Sequence, residues 1–214
     1  AHFGVFDSGI LMDYANGDPV VALDAFFQSS PAAIAVKDRS NRNSLTKLAN
    51  SVIMVNSLIG LAELEAMFIK EGIDPEDLNV YQGEYSFEEF VSNDSIDAIH
   101  AYYTVDIPKM QNDGLELDII FPSTYGVDFY GDILFTTTGF LNDQPEIVQK
   151  FRRATKRGWE YARNNQDEIV EYISELPGVL ERGMTKEVLT IEAERTWDVA
   201  IPEVVPYGYM NPER

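Results

Sequence analysis

The stretch Phe121-Pro-Ser-Thr-Tyr-Gly-Val-Asp-Phe-Tyr-Gly-Asp132 lies between an apolar run and the strand-like run Ile133-Leu-Phe-Thr-Thr137. Its two glycines allow the backbone to bend or to approach a ligand closely. Tyr125, Phe129 and Tyr130 offer ring faces for stacking, and Asp128 and Asp132 offer fixed hydrogen-bond acceptors. Because a small-molecule site needs an aromatic or apolar wall and a few placed polar groups, this stretch is a candidate binding segment. The competing interpretation is a tight loop whose aromatic rings are simply core.

The composition limits the classes of function. The chain has 214 residues, of which 45% are hydrophobic and 12% aromatic, enough for one large domain or two lobes of roughly 100 residues each. A formal net charge of −20 argues against binding to nucleic acid or to anionic membrane surfaces. The chain has no cysteine and only two histidines, His2 and His100. A disulfide and a Cys-ligated metal are therefore excluded within it, and we predict no metal site and no cofactor.

The ends of the chain carry few targeting signals. No run of about 18 apolar residues is present, so no membrane span is predicted, and no signal peptide is visible. The opening Ala1-His-Phe-Gly-Val-Phe6 is typical of the middle of a domain. We therefore expect the sequence to be a piece of a longer protein, with any targeting segment upstream.

Short strands alternate with helices through residue 121. The predicted strands cover residues 3–6, 20–27, 32–36, 52–55, 78–81, 96–101 and 117–121, and the helices cover 10–15, 45–48, 61–71, a short segment opened by Ser86, and 104–111. This alternation predicts an α/β protein with largely parallel sheets. Asp7-Ser8-Gly9 is predicted to cap the helix that follows it. After Thr137 the pattern becomes helical at 146–164, 167–176 and 185–197, with Trp159 and Tyr161 expected in the core, and the tail is irregular.

Polar turns follow several of the predicted strands. They are Asp7-Ser8-Gly9, Gln28-Ser29-Ser30, Asn56-Ser57 and Tyr102-Tyr103-Thr104. In sheets of parallel strands, ligands bind beyond the carboxyl ends of the strands. The topology therefore predicts that these turns converge on one site.

An ordered set of short segments carries a family resemblance. The segments are Phe3-Gly-Val-Phe-Asp-Ser-Gly9, Pro19-Val-Val-Ala22, Phe27-Gln-Ser-Ser-Pro31, Ala62-Glu-Leu-Glu-Ala66, Glu71-Gly-Ile-Asp-Pro-Glu-Asp77, Ala101-Tyr102, Tyr125-Gly-Val-Asp-Phe-Tyr-Gly-Asp132, Arg157-Gly-Trp-Glu-Tyr161 and Met210-Asn-Pro212. With these spacings the chain resembles the NMT1/THI5-like (SsuA/THI5-like) family of periplasmic substrate-binding proteins. That family includes binders of thiamine-pyrimidine precursors, sulfonates and nitrate.

The resemblance implies an α/β, two-lobed, periplasmic-binding-protein-like (type II) fold with mixed, mostly parallel sheets and a helical C-terminal region. It implies lobe one, first part, at residues 1–30, lobe two at 31–123, and the return crossing with the rest of lobe one at 124–214. The lobes of such proteins close on a small molecule. Family members begin with about one more strand–helix–strand unit, which we expect either upstream or supplied by another segment or copy.

The predicted ligand-binding residues combine the family positions with the polar turns. They are Ser8, Gln28, Ser29, Asn56, Glu63, Tyr102, Asp106, Tyr125, Asp128 and Tyr130. For Asp106 the alternative is a solvated acid in the first turn of a helix, and for Glu63 it is a solvated helix face. His100, inside a strand run, is expected to be structural.

The resemblance implies an extracytoplasmic binding protein or sensor domain, on the periplasmic or extracellular face of a bacterial membrane. Its aromatic and carboxylate candidates favour a thiamine-precursor-like pyrimidine or a related heteroaromatic amine. The partners would be a small-molecule ligand and an ABC importer permease or a fused membrane signalling module, with a homodimer as a further option and no nucleic acid.

Three alternatives stay open. A sulfonate or nitrate binder would be expected to present Arg or Lys, and the candidates include no Arg. Fungal enzymes of the family are associated with a Cys-rich motif, a lysine carrying pyridoxal phosphate, and iron; this chain lacks the motif, so no enzyme is predicted. A degenerate domain that binds no ligand and mediates interactions is the third.

Overall fold

The computed structural model describes residues 2–37, 44–201 and 204–213. In chain order the strands are β1 (Phe3–Phe6), β2 (Val20–Phe27), β3 (Ala32–Lys37), β4 (Val52–Met54), β5 (Asn79–Val80), β6 (Ala98–Tyr102), β7 (Leu117–Ile120) and β8 (Gly131–Thr137). The helices are α1 (Ile10–Ala15), α2 (Leu45–Leu48), α3 (Leu58–Lys70), α4 (Phe87–Ser92), α5 (Asp106–Asn112), α6 (Thr138–Asp143), α7 (Pro145–Asn164), α8 (Gln166–Ser174) and α9 (Lys186–Ala200). The alternation of strands and helices is thus the predicted one.

The chain divides into two units. Unit 1 consists of Ala1–Ser30 and Phe129–Arg214, and unit 2 of Pro31–Asp128. The boundaries between the units fall after residues 30 and 128, whereas we predicted lobe two at residues 31–123 and a return crossing that begins at residue 124.

Unit 1 is built on a three-stranded sheet in the order β1–β8–β2. Both pairings are antiparallel, and Phe6 lies opposite Ile133 in the β1–β8 register. A register shift in β2 between Ala22 and Asp24 changes the side to which β2 directs its next side chain, and Asp24 is fully buried. Two α7 cations neutralise it: Arg152 donates to both carboxylate oxygens at 2.7 and 2.9 Å, and Lys156 lies 2.9 Å away.

Two tryptophans complete the core of unit 1. Trp159 stacks on Phe26 with ring centroids 5.0 Å apart and meets Trp197 edge-on at 6.0 Å. This confirms that Trp159 packs in the core. The same prediction for Tyr161 was wrong, since Tyr161 is 49% exposed; two residues along a helix point in different directions, so the two side chains do not share a face.

Unit 2 has a five-stranded mixed sheet in the order β5–β4–β6–β3–β7. Strand β3 is buried along its whole length, as expected for a central strand with both faces covered. On one face the core includes Leu64, Met67 and Phe68 of α3. On the other it includes Phe90 of α4 and Ile107 of α5.

The expectation of mostly parallel sheets needs correction. Among the strands of the described residues, parallel pairing is confined to β4 with β5 and β6. Strand β3 is antiparallel to both β6 and β7, and the sheet of unit 1 is antiparallel. Parallel neighbours need a crossover of a dozen or more residues, and only residues 28–31 separate β2 from β3, so these two strands cannot be parallel neighbours. They belong to different sheets, and the alternation of strands and helices in the sequence does not reveal this.

Helix starts were predicted with mixed success. Ser86 caps α4 by accepting from the Glu89 N–H at 3.3 Å. The predicted side-chain cap of α1 was wrong: its N-cap is Gly9 without a side-chain bond, because the Asp7 carboxylate turns back to the Gly9 N–H at 2.8 Å. Within the described ranges, no helix is both long and apolar enough to cross a bilayer.

Candidate functional site

In unit 2, a carboxylate closes the turn that follows β6. The N–H of Tyr102, the last residue of β6, donates to Oδ2 of Asp106 at 2.8 Å. Burial raises the pKa of the Asp106 carboxyl above its usual value, and the Tyr102 N–H, Lys109 and His100 partly oppose that shift. The structure thus brings together two predicted site residues, a half-buried tyrosine and a half-buried acid, at the end of one strand.

A second acid of unit 2, Glu63, faces the interior. Its Oε2 lies 3.2 Å from Nε2 of His100, and both side chains are 4% exposed. The other ring nitrogen of His100 has no hydrogen-bond partner among the described residues. A Cβ at Gly60 would come within 2.7 Å of that nitrogen. The pair therefore ties α3 to β6 and agrees with the structural interpretation of His100, while a ligand contact of Glu63 stays a prediction.

Residues 122–126, which precede the passage back to unit 1, make their contacts within unit 2. Pro122–Tyr125 forms one 3₁₀ turn that ends at Gly126, whose φ of +69° is a left-handed conformation suited to glycine. The Lys70 ammonium donates to the Gly126 carbonyl, and the Tyr125 ring packs against the core. This placement of Tyr125 supports the competing core interpretation for its ring. Asp128 is half-buried, and Asn56 is exposed just before the α3 N-cap.

In unit 1, two carboxylates meet where β1 ends and β8 begins. Since Phe6 lies opposite Ile133, the next residues, Asp7 and Asp132, are neighbours across the two strands. Burial, and then the negative charge of Asp7, raise the pKa of the Asp132 carboxyl. Asp132 has a left-handed φ of +43°, and no described residue makes a hydrogen bond to its side chain.

An aromatic ring and a buried hydroxyl lie close by in the sequence. Tyr130 packs with Ile10 and Ile133, and its hydroxyl accepts from the Asn211 N–H at 2.9 Å. Ser8 is 9% exposed. From the sequence, Asp132 was named as a fixed acceptor of its stretch but, unlike Ser8 and Tyr130, was not included among the predicted ligand contacts. Asp132 follows a glycine directly, and Asp is one of the residues that tolerate left-handed backbone.

The turn after β2 donates hydrogen bonds to the C-terminal part of the chain. The Gln28 side-chain amide donates to the Ala25 carbonyl at 3.1 Å and to the Tyr209 carbonyl at 3.0 Å. The backbone N–H groups of Gln28 and Ser29 both donate to the Val199 carbonyl. The side-chain amide of Gln28 therefore donates to backbone carbonyls, and Ser29 is half-buried beside it. Their predicted ligand contacts stay predictions.

No group of three or more His, Asp or Glu side chains in the described ranges is arranged to hold a metal ion. Each unit contains one carboxyl group with a raised pKa, Asp106 in unit 2 and Asp132 in unit 1. Such groups accept hydrogen bonds from amines and heteroaromatic N–H groups.

Comparison with known proteins gives a family and a fold. A family model described as NMT1/THI5 like matches residues 1–169. A 4-amino-5-hydroxymethyl-2-methylpyrimidine phosphate synthase of Legionella pneumophila is 21% identical over 197 residues, covering 86% of this chain and 62% of that protein. The chain thus spans about 62% of the length of this curated relative.

Two solved structures are similar at low sequence identity. The alkanesulfonate-binding protein SsuA from Xanthomonas axonopodis pv. citri, bound to MOPS, has a TM-score of 0.68 and 14% identity over 97% of this chain and 68% of that one. The periplasmic aliphatic sulphonate-binding protein SsuA from Escherichia coli has a TM-score of 0.67 and 12% identity over 97% and 77%. These likenesses confirm the predicted periplasmic-binding-protein-like fold.

Proposed function

The chain belongs to the NMT1/THI5-like family, and from that premise we propose that it is an extracytoplasmic solute-binding protein or sensor domain whose ligand is a small heteroaromatic amine such as an aminopyrimidine. Its partner would be the permease of an ABC importer or a fused membrane signalling module. The ligand class deepens the family assignment and rests on the residues themselves.

The Asp132 carboxyl carries the proposal. It is half-buried, makes no hydrogen bond with any described residue, and has a raised pKa because of burial and the nearby Asp7. A ligand that supplies N–H donors there would therefore gain hydrogen bonds that no described protein group makes. The amidine-like edge of an aminopyrimidine, with its amino group beside a ring nitrogen, matches the two oxygens of a carboxyl group.

The charge of this region favours an amine over an anion. Asp7 and Asp132 would repel a sulfonate or nitrate group, and the predicted contacts Ser8 and Tyr130 add no positive charge. The 21% identical relative, named for an aminopyrimidine phosphate, agrees with the ligand class.

A thermal-shift panel tests the ligand class. It contains 4-amino-5-hydroxymethyl-2-methylpyrimidine, taurine, an alkanesulfonate and nitrate. A ligand at 100 times its Kd stabilises the folded state by about 2.7 kcal/mol, which is about 5–11 °C for a chain of this size. We expect such a shift with the pyrimidine, its loss in Asp132→Asn measured against that variant's own baseline, and its retention in the control Asp143→Asn, an exposed acid of α6.

A sulfonate ligand is the second candidate, because two structures of the same fold are sulfonate-binding proteins. A shift with taurine or an alkanesulfonate that Asp132→Asn leaves intact would favour it. The degenerate interaction domain would give no shift with any member of the panel.

Catalysis is the remaining candidate, favoured by the synthase relative. We propose binding without turnover. Mass spectrometry after incubation with thiamine-pathway substrates should find no product, and formation of a pyrimidine phosphate would establish an enzyme instead.

A further inference from the structure

Helix α7 concentrates positive charge on an acidic protein. It contains six basic residues and two acidic ones, a net charge of +4, whereas the whole chain carries −20 and the remainder therefore −24. The basic residues are Lys150, Arg152, Arg153, Lys156, Arg157 and Arg163.

The helix uses its cations in two ways. Arg152 and Lys156 turn inward to the buried Asp24. Arg153 and Arg157 are exposed, and neither makes an ion pair or hydrogen bond with any residue in the described ranges. Lys150 has only a loose contact with Glu146, at 3.9 Å. Like charges four residues apart destabilise a helix by about 0.2–0.5 kcal/mol, so the spacing of Arg153 and Arg157 carries a local cost, while Glu160 stands three residues from Arg157.

A glycine on the same face adds an independent observation. Gly158 lies inside α7, where glycine costs about 0.5–1 kcal/mol relative to alanine. A Cβ added to it would meet no atom within 4 Å, so the packing of the chain does not require glycine there. Gly158 lies in a groove of about 580 Å³ that is also lined by Ala154, Arg157, Glu160 and Tyr161 among others.

A second groove lies nearer the start of the helix. It has a volume of about 410 Å³ and is lined by Pro145, Glu146, Gln149, Lys150 and Arg153. Because these positions recur every three or four residues, they share one side of the helix. We call the side formed by Lys150, Arg153, Ala154, Arg157, Gly158 and Tyr161 the α7 basic face.

We propose that the α7 basic face docks an acidic helix of a partner protein. The face runs along a helix of 20 residues, about 30 Å long. Ala154 and Gly158, one turn apart, let a second backbone approach closely. Arginine forks pair with carboxylates in a bidentate geometry, so glutamates that flank the groove would neutralise Arg153 and Arg157.

The charge of the rest of the chain favours a partner that contacts α7 alone over one with a wide contact surface. The residues outside α7 carry a net charge of −24. An anionic bilayer or a second copy of this chain would bring that charge near further negative charge, within the screening length of about 8 Å at physiological salt. A single helix contacts a narrower strip, in which Lys150, Arg153 and Arg157 outnumber the two acids of the grooves, Glu146 and Glu160. The proposal is independent of the ligand site, because none of these residues is a predicted ligand contact.

The test uses fluorescence anisotropy with a labelled synthetic peptide of three alanine-rich helical heptads, each carrying two glutamates on one face. We expect a Kd of about 10–100 μM at low salt, weakening as salt rises. Arg153→Gln/Arg157→Gln should raise the Kd at least tenfold. Arg182→Gln/Lys186→Gln, which removes the same charge from exposed positions outside α7, should leave it unchanged.

Gly158→Leu separates docking in the groove from loose charge attraction, because it fills the groove and keeps every charge. It should raise the Kd at least tenfold without lowering the melting temperature. The proposal is overturned by equal binding of a peptide with glutamine in place of glutamate, or by unchanged binding in either α7 variant. It is also overturned if the face instead drives binding to phosphatidylglycerol vesicles or self-association in light scattering.

Discussion

Gly60→Ala should destabilise unit 2, although alanine is the better helix former. The new methyl group would lie 2.7 Å from Nδ1 of His100 and 3.1 Å from Cγ1 of Val55. Since non-bonded contacts settle near 3.5 Å, the histidine ring must retreat by about 0.8 Å. Glu63 holds the ring from its other side at 3.2 Å, and the ring is 4% exposed, so it has no free direction.

The expected cost follows from this geometry. Overpacking a core costs about 1–3 kcal/mol, and weakening the His100–Glu63 contact adds to it, while the gain in helix propensity returns at most about 1 kcal/mol. We expect a net loss of about 1–3 kcal/mol, measured as a lower midpoint in urea unfolding. Gly158→Ala is the matched control: with open space around the new Cβ, it should stabilise by about 0.5–1 kcal/mol. If both substitutions stabilise the protein, the reasoning from close contacts is refuted.

Three further predictions concern buried and capping groups. Asp24→Asn leaves Arg152 and Lys156 without their carboxylate and should cost about 2–4 kcal/mol in urea unfolding; an unchanged midpoint would contradict the role given to this cluster. The pKa of Asp132 is raised in the folded state, so the contribution of this carboxyl to stability falls as pH rises from 3.8 through the folded pKa. Asp132→Asn should therefore raise the melting temperature at pH 7 but not at pH 3. Equal stabilisation at both pH values would contradict this. Ser57→Ala removes the acceptor of the α3 cap and should cost about 1 kcal/mol, which a Ser57→Thr control should largely retain.

Local patterns predicted the elements because local physics determines them. The run Ile10–Ala15 is helical and Val20–Phe27 is a strand, both with the predicted bounds. The relative direction of neighbouring strands could not be predicted from local patterns. It depends on which sheet β3 joins after only four residues, and that is a property of the contacts between segments distant in sequence.

The site was partly predictable for a similar reason. The Tyr102–Asp106 pair is local, since four residues separate its members, and its chemistry could be inferred from the sequence. Glu63 and Asp132 could not be assigned from composition. The environment of Glu63 depends on His100, 37 residues away, and that of Asp132 depends on Asp7, which is distant in the chain but its neighbour across β1 and β8.

The most direct test of the central claim is calorimetric titration of the chain at pH 7 with 4-amino-5-hydroxymethyl-2-methylpyrimidine and, separately, with an alkanesulfonate. We predict 1:1 binding of the pyrimidine that Asp132→Asn abolishes and Asp143→Asn preserves. Binding of the sulfonate alone, at equal strength in both variants, would contradict the assignment of an amine-binding site.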